Sequence, residues 1–512
     1  MCCRVVSGQD SHWLFLSDKD GTSFDPYKYF DHKTIEKRLK LGISINEYTD
    51  RPLRADYVEI ISGIVDSISY KSRWFNAVLV YANSAELNII RSLPFITNIK
   101  NVEIQTVLAN SSETYNLDID KDEVEYLLRK QIEVMGGEKF INNGINGSGI
   151  RIAVFDGGYT GVDTSPVFEH IRKDNRIIST FDFFKKTENV YRKGSHGTLV
   201  LSCIAGMING VKIGLATGAE FLLAITEIKA DPKLEEKNWL AAAEWADKNG
   251  ADIINSSLGY TYLRYFKSDM DGQTSLVAKA ATIAASKGIL VINCMGNDGD
   301  NDWKIVNTPA DADSVLSVGG IDPETNLHIH FSSVGPTADN RLKPNVVAFG
   351  KTVAADNDGL KIVTGTSFSC PLITGFAACA WQTRPQMKNM EIFKLIQSSG
   401  NLFPYYDYAQ GYGIPQGNFF IDNNDHKEKR SFRIIINNNY ISVHSIDDIK
   451  RNEKELPEYL YFNIKNECGN IKEYGVIEVY QKKIMELPIK LFSNNEKLTI
   501  NYKGYTGDYQ FK

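Results

Sequence analysis

The spacing of apolar positions changes character twice along the 512 residues. In the first hundred, residues 12–16, 64–70, 75–81 and 95–104 are short runs of branched and aromatic side chains that predict strands. Between them, 29–41 places Ile35, Leu39 and Leu41 on an amphipathic helix, and 85–93 predicts a second helix. The order β-α-β-β-α-β over 12–105 is the split βαβ pattern of a small ferredoxin-like α+β domain. No His/Cys or paired-carboxylate constellation falls inside it, so binding or help in folding is expected of it rather than chemistry.

From 149 to 418, uninterrupted apolar strands alternate with helices. Strands are predicted at 150–155, 220–226, 252–256, 289–294 and 315–321, and helices at 197–207, 235–249 and 275–287. Gly250 and Gly288 stand where two of those helices should stop. This predicts an α/β unit with a doubly wound, mostly parallel sheet, whose ligands bind at the carboxyl ends of the strands. In 420–512 the period falls to two, at 432–436, 459–464, 475–480 and 498–502, with polar turns between. That is the pattern of a small all-β sandwich.

The segment 106–148 is polar and acidic and predicts a linker with one helical piece near 124–135. Its acidic and polar positions include Ser111, Ser112, Glu113, Asp118, Asp120, Asp122, Glu123 and Glu125. Asp118, Asp120 and Asp122 have a calcium-like spacing. Glu123 and Arg129 occupy the positions where a calcium loop needs Gly and Glu, which argues against a metal.

Composition narrows the function classes. A hydrophobic fraction of 43% and a charged fraction of 23% are those of a globular chain. A net charge of −6 without a long basic run argues against nucleic acid as partner, and no apolar run is long enough for a membrane span. Of seven cysteines, Cys203, Cys294, Cys370 and Cys379 lie in apolar segments and read as small buried hydrophobes. The first residues lack the apolar core of a signal peptide, and Cys2 and Cys3 lack a lipidation context.

Chemistry gathers at the predicted strand ends. Strand 150–155 runs into Asp156, Gly157 and Gly158, and His196 heads an apolar helix between small residues, alone among the eight histidines. Strand 252–256 leads into Ser257, Leu258 and Gly259, an edge that another backbone can approach. Strand 289–294 leads into Met295, Gly296, Asn297 and Asp298, bringing an amide to the same rim. The turn at 365–371 presents Ser367 ahead of a helix, where first-turn N–H groups favour an anion. Singly, these residues read as turn formers and caps. Together they supply the nucleophile, base, orienting carboxylate and oxyanion donor that amide hydrolysis requires. Asp298, Asp300 and Asp302 also have a calcium-like spacing, but Pro309 at the twelfth position favours a solvated loop.

Residues 150–417 resemble the catalytic domain of the subtilisin-like serine peptidases (subtilases, peptidase S8 family). The resemblance rests on segments 152–158, 195–198, 295–299 and 365–371, with further likeness at 331–337 and 343–348. The order Asp, His, Ser is that described for subtilisin. The resemblance implies a serine endopeptidase acting on protein or peptide substrates. Ser367 would be its nucleophile, His196 its base and then acid, and Asp156 the residue that holds the imidazole. Asn297, with the Ser367 N–H, would bind the oxyanion, and Ser256, Ser257, Leu258, Gly259 and Gly296 would line the substrate. No cofactor is required, and a structural calcium is unsupported.

Leu199, Leu372 and Asn345 depart from residues frequent in the family, none at a catalytic position; they suggest a divergent branch similar to subtilases of Bacteroidetes-type bacteria. The resemblance further implies that 12–105 is a propeptide-like intramolecular inhibitor and that 106–148 holds its processing site. It implies export, with the leader missing or truncated in this chain, and makes the β domain an accessory or sorting module. The alternatives are a retained accessory domain at the N-terminus, acyl transfer to an amine, and a catalytically silent pseudoprotease or binding scaffold. The complete set of Asp156, His196, Asn297 and Ser367 argues against the silent scaffold.

Overall fold

Strand β1 (Asp10–Leu16) is apolar on both faces, and each face has its own partner. Leu14 and Leu16 join one hydrophobic cluster, and Trp13 joins another. The computed structural model describes residues 10–102, 120–192, 194–227, 234–261, 264–422, 429–449 and 457–511. The chain continues through α1 (Pro26–Tyr29), α2 (His32–Leu41), α3 (Ala55–Ser62), β2 (Ser67–Ser72), β3 (Ala77–Ala82), α4 (Ser84–Arg91) and β4 (Ile96–Asn101). The strands pair antiparallel in the order β2-β3-β1-β4, the ferredoxin-like topology.

One helix of this unit differs from expectation. The layer over Leu14 and Leu16 is built by α3 and α4, through Ile61, Leu87 and Ile90. Helix α2, from the 29–41 stretch, leaves the sheet and lies against the central unit. The reason is charge: Lys37 and Arg38 are buried there among carbonyl and carboxylate partners that the small sheet does not offer.

The central unit opens with α5 (Lys121–Glu133) and α6 (Gly137–Asn142). Next come β5 (Arg151–Asp156), α7 (Glu169–Lys173), β6 (Ile177–Asp182), α8 (His196–Ala205) and a small hairpin, β7 (Met207–Ile208) with β8 (Val211–Lys212). Then follow β9 (Glu220–Ile225), α9 (Glu235–Lys248), β10 (Ile253–Ser256), α10 (Leu276–Ser286), β11 (Leu290–Cys294), β12 (Val315–Ile321) and β13 (Val346–Phe349). A hairpin of β14 (Lys351–Asp356) and β15 (Gly359–Thr364), then α11 (Thr366–Gln382), α12 (Asn389–Ser398) and α13 (Asn418–Ile421), complete it.

Among the described residues, seven strands form one parallel sheet in the order β13-β12-β11-β10-β5-β9-β6. Side chains alternate across it. Ile152, Val154 and Ile292 face α8 and α11, whereas Ala153, Phe155 and Val291 face α9 and α10. The predicted strands are all present. Edge strand β6 is half-buried and polar at Ser179 and Thr180, and β13 is four residues long, so neither shows the apolar run of the inner strands.

Helices α9 and α10 are rich in alanine, which lets them be covered on both sides. One side lies on the sheet; the other receives Trp13, Trp74 and Leu79 of the N-terminal unit. The helical piece expected near 124–135 is α5, capped by Asp120, whose carboxylate accepts the Asp122 N–H at 3.0 Å. Val124 and Leu127 pack on Val353 and Ile362 of the β14–β15 hairpin, so the latter part of the segment read as linker is folded against the core. Ser111, Ser112, Glu113 and Asp118, like Cys2 and Cys3, lie outside the described residues.

After α13, strands β16 (Phe432–Ile436), β17 (Tyr440–Ser445), β18 (Tyr459–Lys465), β19 (Ile471–Glu478), β20 (Lys483–Pro488), β21 (Lys497–Tyr502) and β22 (Tyr505–Gln510) form two antiparallel sheets. Their orders are β16-β17-β20 and β19-β18-β21-β22. Phe432, Ile441 and Val443 of one face Leu460, Leu498 and Ile500 of the other across a shared core, a sandwich. It is tied to the central unit through backbone carbonyls. Asn463 Nδ2 donates to Tyr406 O at 2.7 Å, and Tyr405 Oη donates to Phe462 O at 2.9 Å.

Candidate active site

Three inner strands end at one rim. Asp156 is the last residue of β5, Ser256 the last of β10, and Asn297 lies three residues beyond β11. Asp156 is fully buried, with Oδ1 held by the Gly157 N–H at 2.6 Å. Its carboxylate faces His196 Nδ1 at 2.8 and 2.9 Å. Helix α8 can come this close because its second residue is Gly197. A Cβ there would lie 2.6 Å from Gly158 O and 3.0 Å from Asp156 Cβ. His196 keeps 19% of its side chain exposed, and its ring stands 5.4 Å from that of Phe368, the neighbour of Ser367.

Ser367 is the second residue of α11, just past Gly365. Pro371 sits four residues later inside the helix and has no N–H to give to the Ser367 carbonyl. That carbonyl instead accepts the Ser257 hydroxyl at 2.8 Å. In return, Ser367 Oγ donates to the Ser257 carbonyl at 3.2 Å. The strand β10 exit and the α11 turn are thus locked by a reciprocal pair of bonds. Behind them, the buried Asn255 side chain donates to Ser257 Oγ at 3.3 Å and accepts from Thr374 Oγ1 at 2.8 Å.

Asn297 is oriented by its oxygen. Oδ1 accepts both the Thr366 N–H at 2.9 Å and the Thr366 hydroxyl at 2.8 Å. With Oδ1 committed to the start of α11, the amide's donor end, Nδ2, is turned to the cleft side of Gly365, 3.3 Å from where a Cβ on that residue would stand. Thr366 was not singled out from the sequence, although it adjoins Ser367. Its role depends on a contact across 69 residues that spacing does not reveal.

The substrate edge expected from Ser256 to Gly259 divides in two. Ser256 is fully buried with its hydroxyl accepting from Trp239 Nε1 at 3.0 Å, and Leu258 packs into the core under α9 and α10. Ser257 faces Ser367 as described, and Gly259 lies open at the rim. Gly296 is left-handed, with the Asn307 side chain packed directly over it.

Glu227 escaped the sequence reading, although it follows β9 much as Asp156 ends β5. Its carboxyl is pushed up to about 8 by burial first, then by Glu235 and Asp156. Nearby, Arg264 pairs with Glu235 and Glu236 and lies 4.5 Å over the Tyr260 ring. Burial likewise pushes the Cys294 thiol, beside the Leu258 carbonyl, up to about 12. The departures noted in sequence are buried: Leu199 and Leu372 are core side chains, and Asn345 Oδ1 accepts from the Ser317 N–H and hydroxyl, both at 2.8 Å. Among the described residues, no three His, Cys, Asp or Glu side chains are grouped to hold a metal ion. Asp298 is engaged by Asn301 at 2.8 Å and Asn307 at 3.0 Å.

Comparison with known proteins agrees with this geometry. The profile of the Subtilase family matches residues 147–413, and that of the Peptidase S8 propeptide domain, Bacteroidota, matches residues 11–116. The chain is 29% identical over 254 residues to Subtilisin BL of Lederbergia lenta, a match covering 49% of this chain and 83% of that protein. Against M-protease of Shouchella clausii (strain KSM-K16) it is also 29% identical over 254 residues, covering 59% of that protein. Subtilisin-like protease SBT6.1 of Arabidopsis thaliana is 27% identical over 308 residues, with 27% of its length covered. The chain therefore spans less than two thirds of the latter two relatives.

Proposed function

Because the chain belongs to the subtilase family of serine peptidases, we propose that it is an endopeptidase hydrolysing peptide bonds of proteins, with Ser367 as nucleophile. The observation that carries this reading is the pair of contacts from His196 Nδ1 to the buried Asp156 carboxylate. With Nδ1–H donating to the Asp156 carboxylate, Nε2 holds the lone pair that takes the Ser367 proton. Attack of Oγ on the scissile carbonyl places negative charge on the substrate oxygen. Asn297 Nδ2 and the Ser367 N–H are the donors for it, and they need no reorientation because Thr366 fixes the amide. The imidazolium, balanced by Asp156, then protonates the leaving amine, and water repeats the sequence on the acyl-enzyme. Ser257, Gly259 and Gly296 line the substrate backbone, and Cys294 stays out of the chemistry because burial keeps its thiol protonated.

The N-terminal unit, of the Peptidase S8 propeptide type, acts on this reading as an intramolecular inhibitor and folding aid. A propeptide of this kind supports export of the enzyme, and the β-sandwich is its accessory module. No helix among the described residues is long and apolar enough to cross a membrane. A fluorophosphonate probe tests the assignment: it should label the processed protein at Ser367 and leave Ser367→Ala unlabelled. A folded protein that is neither labelled nor active on casein would overturn it.

A further inference from the structure

Two stretches of backbone flank Ser367, and the space between them ends on one side chain. On one side Ser257, whose carbonyl accepts from Ser367 Oγ at 3.2 Å, leads on to Gly259. On the other, Gly296 precedes Asn297, whose oxygen is held by Thr366. Strands β10 and β11 are paired as far as Ser256 and Asn293, and beyond them a third segment is inserted. The Asn307 N–H donates to Met295 O at 3.0 Å, while Thr308 exchanges backbone bonds with Tyr260 at 3.0 and 3.3 Å. This segment is tied to both strand exits, and the Asn307 side chain stands between them.

Contacts with the two glycines set how much room is left. A Cβ on Gly296 would lie 2.2 Å from Asn307 Nδ2 and 2.8 Å from Oδ1, and one on Gly259 would lie 3.0 Å from Asn307 Cβ. The gap that two walls without side chains would leave open is therefore filled to contact distance. The amide is also oriented. Nδ2 donates to Asp298 Oδ2 at 3.0 Å, so the carbonyl end is turned from that carboxylate. Oδ1 is buried with no hydrogen-bond partner among the described residues. A buried acceptor without a donor is unfavourable, and a ligand group that brings a donor relieves it.

On the reading of the chain as an endopeptidase with Ser367 as nucleophile, on which the proposal rests, the attacked carbonyl points its oxygen at Asn297. The side chain of the residue that supplies this carbonyl then falls between the exits 257–259 and 295–297. We propose that Asn307 closes this slot and makes the enzyme selective for a short side chain there, with a hydroxyl donor preferred. Serine is favoured first, then alanine and glycine, and leucine and phenylalanine are excluded. Extra methylenes have nowhere to go, because the side walls are backbone and the floor is fixed to both of them.

Peptides that differ only at the residue supplying the scissile carbonyl test this with the processed enzyme. In kcat/KM, Ser should exceed Ala about fivefold, and Ala should exceed Phe by on the order of a hundredfold. Asn307→Gly should raise the Phe-to-Ala ratio at least about tenfold and remove the advantage of Ser, with Asn307→Ala intermediate. Ratios taken within one preparation cancel any loss of folded enzyme. Cleavage after Phe or Leu that matches or exceeds cleavage after Ala in the wild type, or variant ratios equal to wild type, would overturn the proposal. Ser and Ala cleaved alike would overturn the role given to Oδ1. The fluorophosphonate probe separates two failures. A labelled enzyme with the wrong preference overturns the slot alone, whereas a folded protein neither labelled nor active overturns the endopeptidase reading and the slot with it.

Discussion

A single oxygen decides how Asn297 can act. Because Oδ1 takes two donors from Thr366, the amide cannot flip without losing both. Asn297→Ala should lower kcat by about 10²–10³-fold with KM little changed, the cost of one oxyanion donor. Thr366→Val keeps the backbone donor and loses only the hydroxyl, so steady-state kinetics should place its effect on kcat well below that of Asn297→Ala. Glu227 makes a prediction in pH. Burial first, then Glu235 and Asp156, push its folded carboxyl up to about 8, against an ordinary value of 4.5. Between those limits the unfolded chain has lost a proton that the folded chain keeps, so stability falls as pH rises through the window. Glu227→Gln should flatten that fall, and urea unfolding at pH 5 and pH 8.5 measures it. The residues assigned to the proposed chemistry stood out in sequence because Asp156, His196, Asn297 and Ser367 stand at element ends among glycines. Thr366 and Glu227 were not, since their importance lies in neighbours 69 and more residues away or in the low dielectric around them.

At the scale of elements, the reading of strands and helices succeeded where one side of an element is uniformly apolar. Strands β5, β9, β10, β11 and β12 carry that pattern, and so do α8, α9 and α10. Where polar side chains are buried with partners it placed the helix but not its buried face, as in α2, whose Lys37 and Arg38 look solvent-facing in the sequence. Gln131 on α5 is the same kind of residue. Its amide donates to Ile213 O at 2.8 Å and Val353 O at 3.1 Å, and accepts the Val353 N–H at 2.9 Å and the Thr352 hydroxyl. Gln131→Leu would strand these backbone groups and should cost about 2–4 kcal/mol, read from the urea midpoint at constant m. Pro371 in α11 is an element-scale device too. Pro371→Ala restores a helical donor to the Ser367 carbonyl, which then competes with Ser257. The melting temperature should hold or rise while kcat falls, separating helix stability from placement of the nucleophile.

At the scale of the molecule, the chain is three units around one sheet, and composition could not say how firmly they are joined. The β-sandwich meets the 402–412 loop through side-chain amides on backbone carbonyls and a small cluster of Tyr406, Tyr408 and Ile471, whereas the N-terminal unit shares a larger apolar core with α9 and α10. Segment 31–50 lies over the strand starts, where Arg38 bonds Asp50 and Asp247 and Lys287 bonds Asp50, each at 2.6 Å, and this has a consequence for motion. Strand starts are where a sheet ordinarily frays. Here the Asp252 N–H donates to Arg151 O at 2.8 Å and the Leu290 N–H donates to Asp252 O at 2.9 Å, beneath the segment that seats on Gly250 and Gly288. Those amides should exchange with deuterium as slowly as the centre of β5 while the segment is seated, and measurably faster in Arg38→Met, with exchange at the far ends of the strands unaltered. The sheet is then a beam fixed at its tail, whose working tip can yield to a substrate without loosening the root.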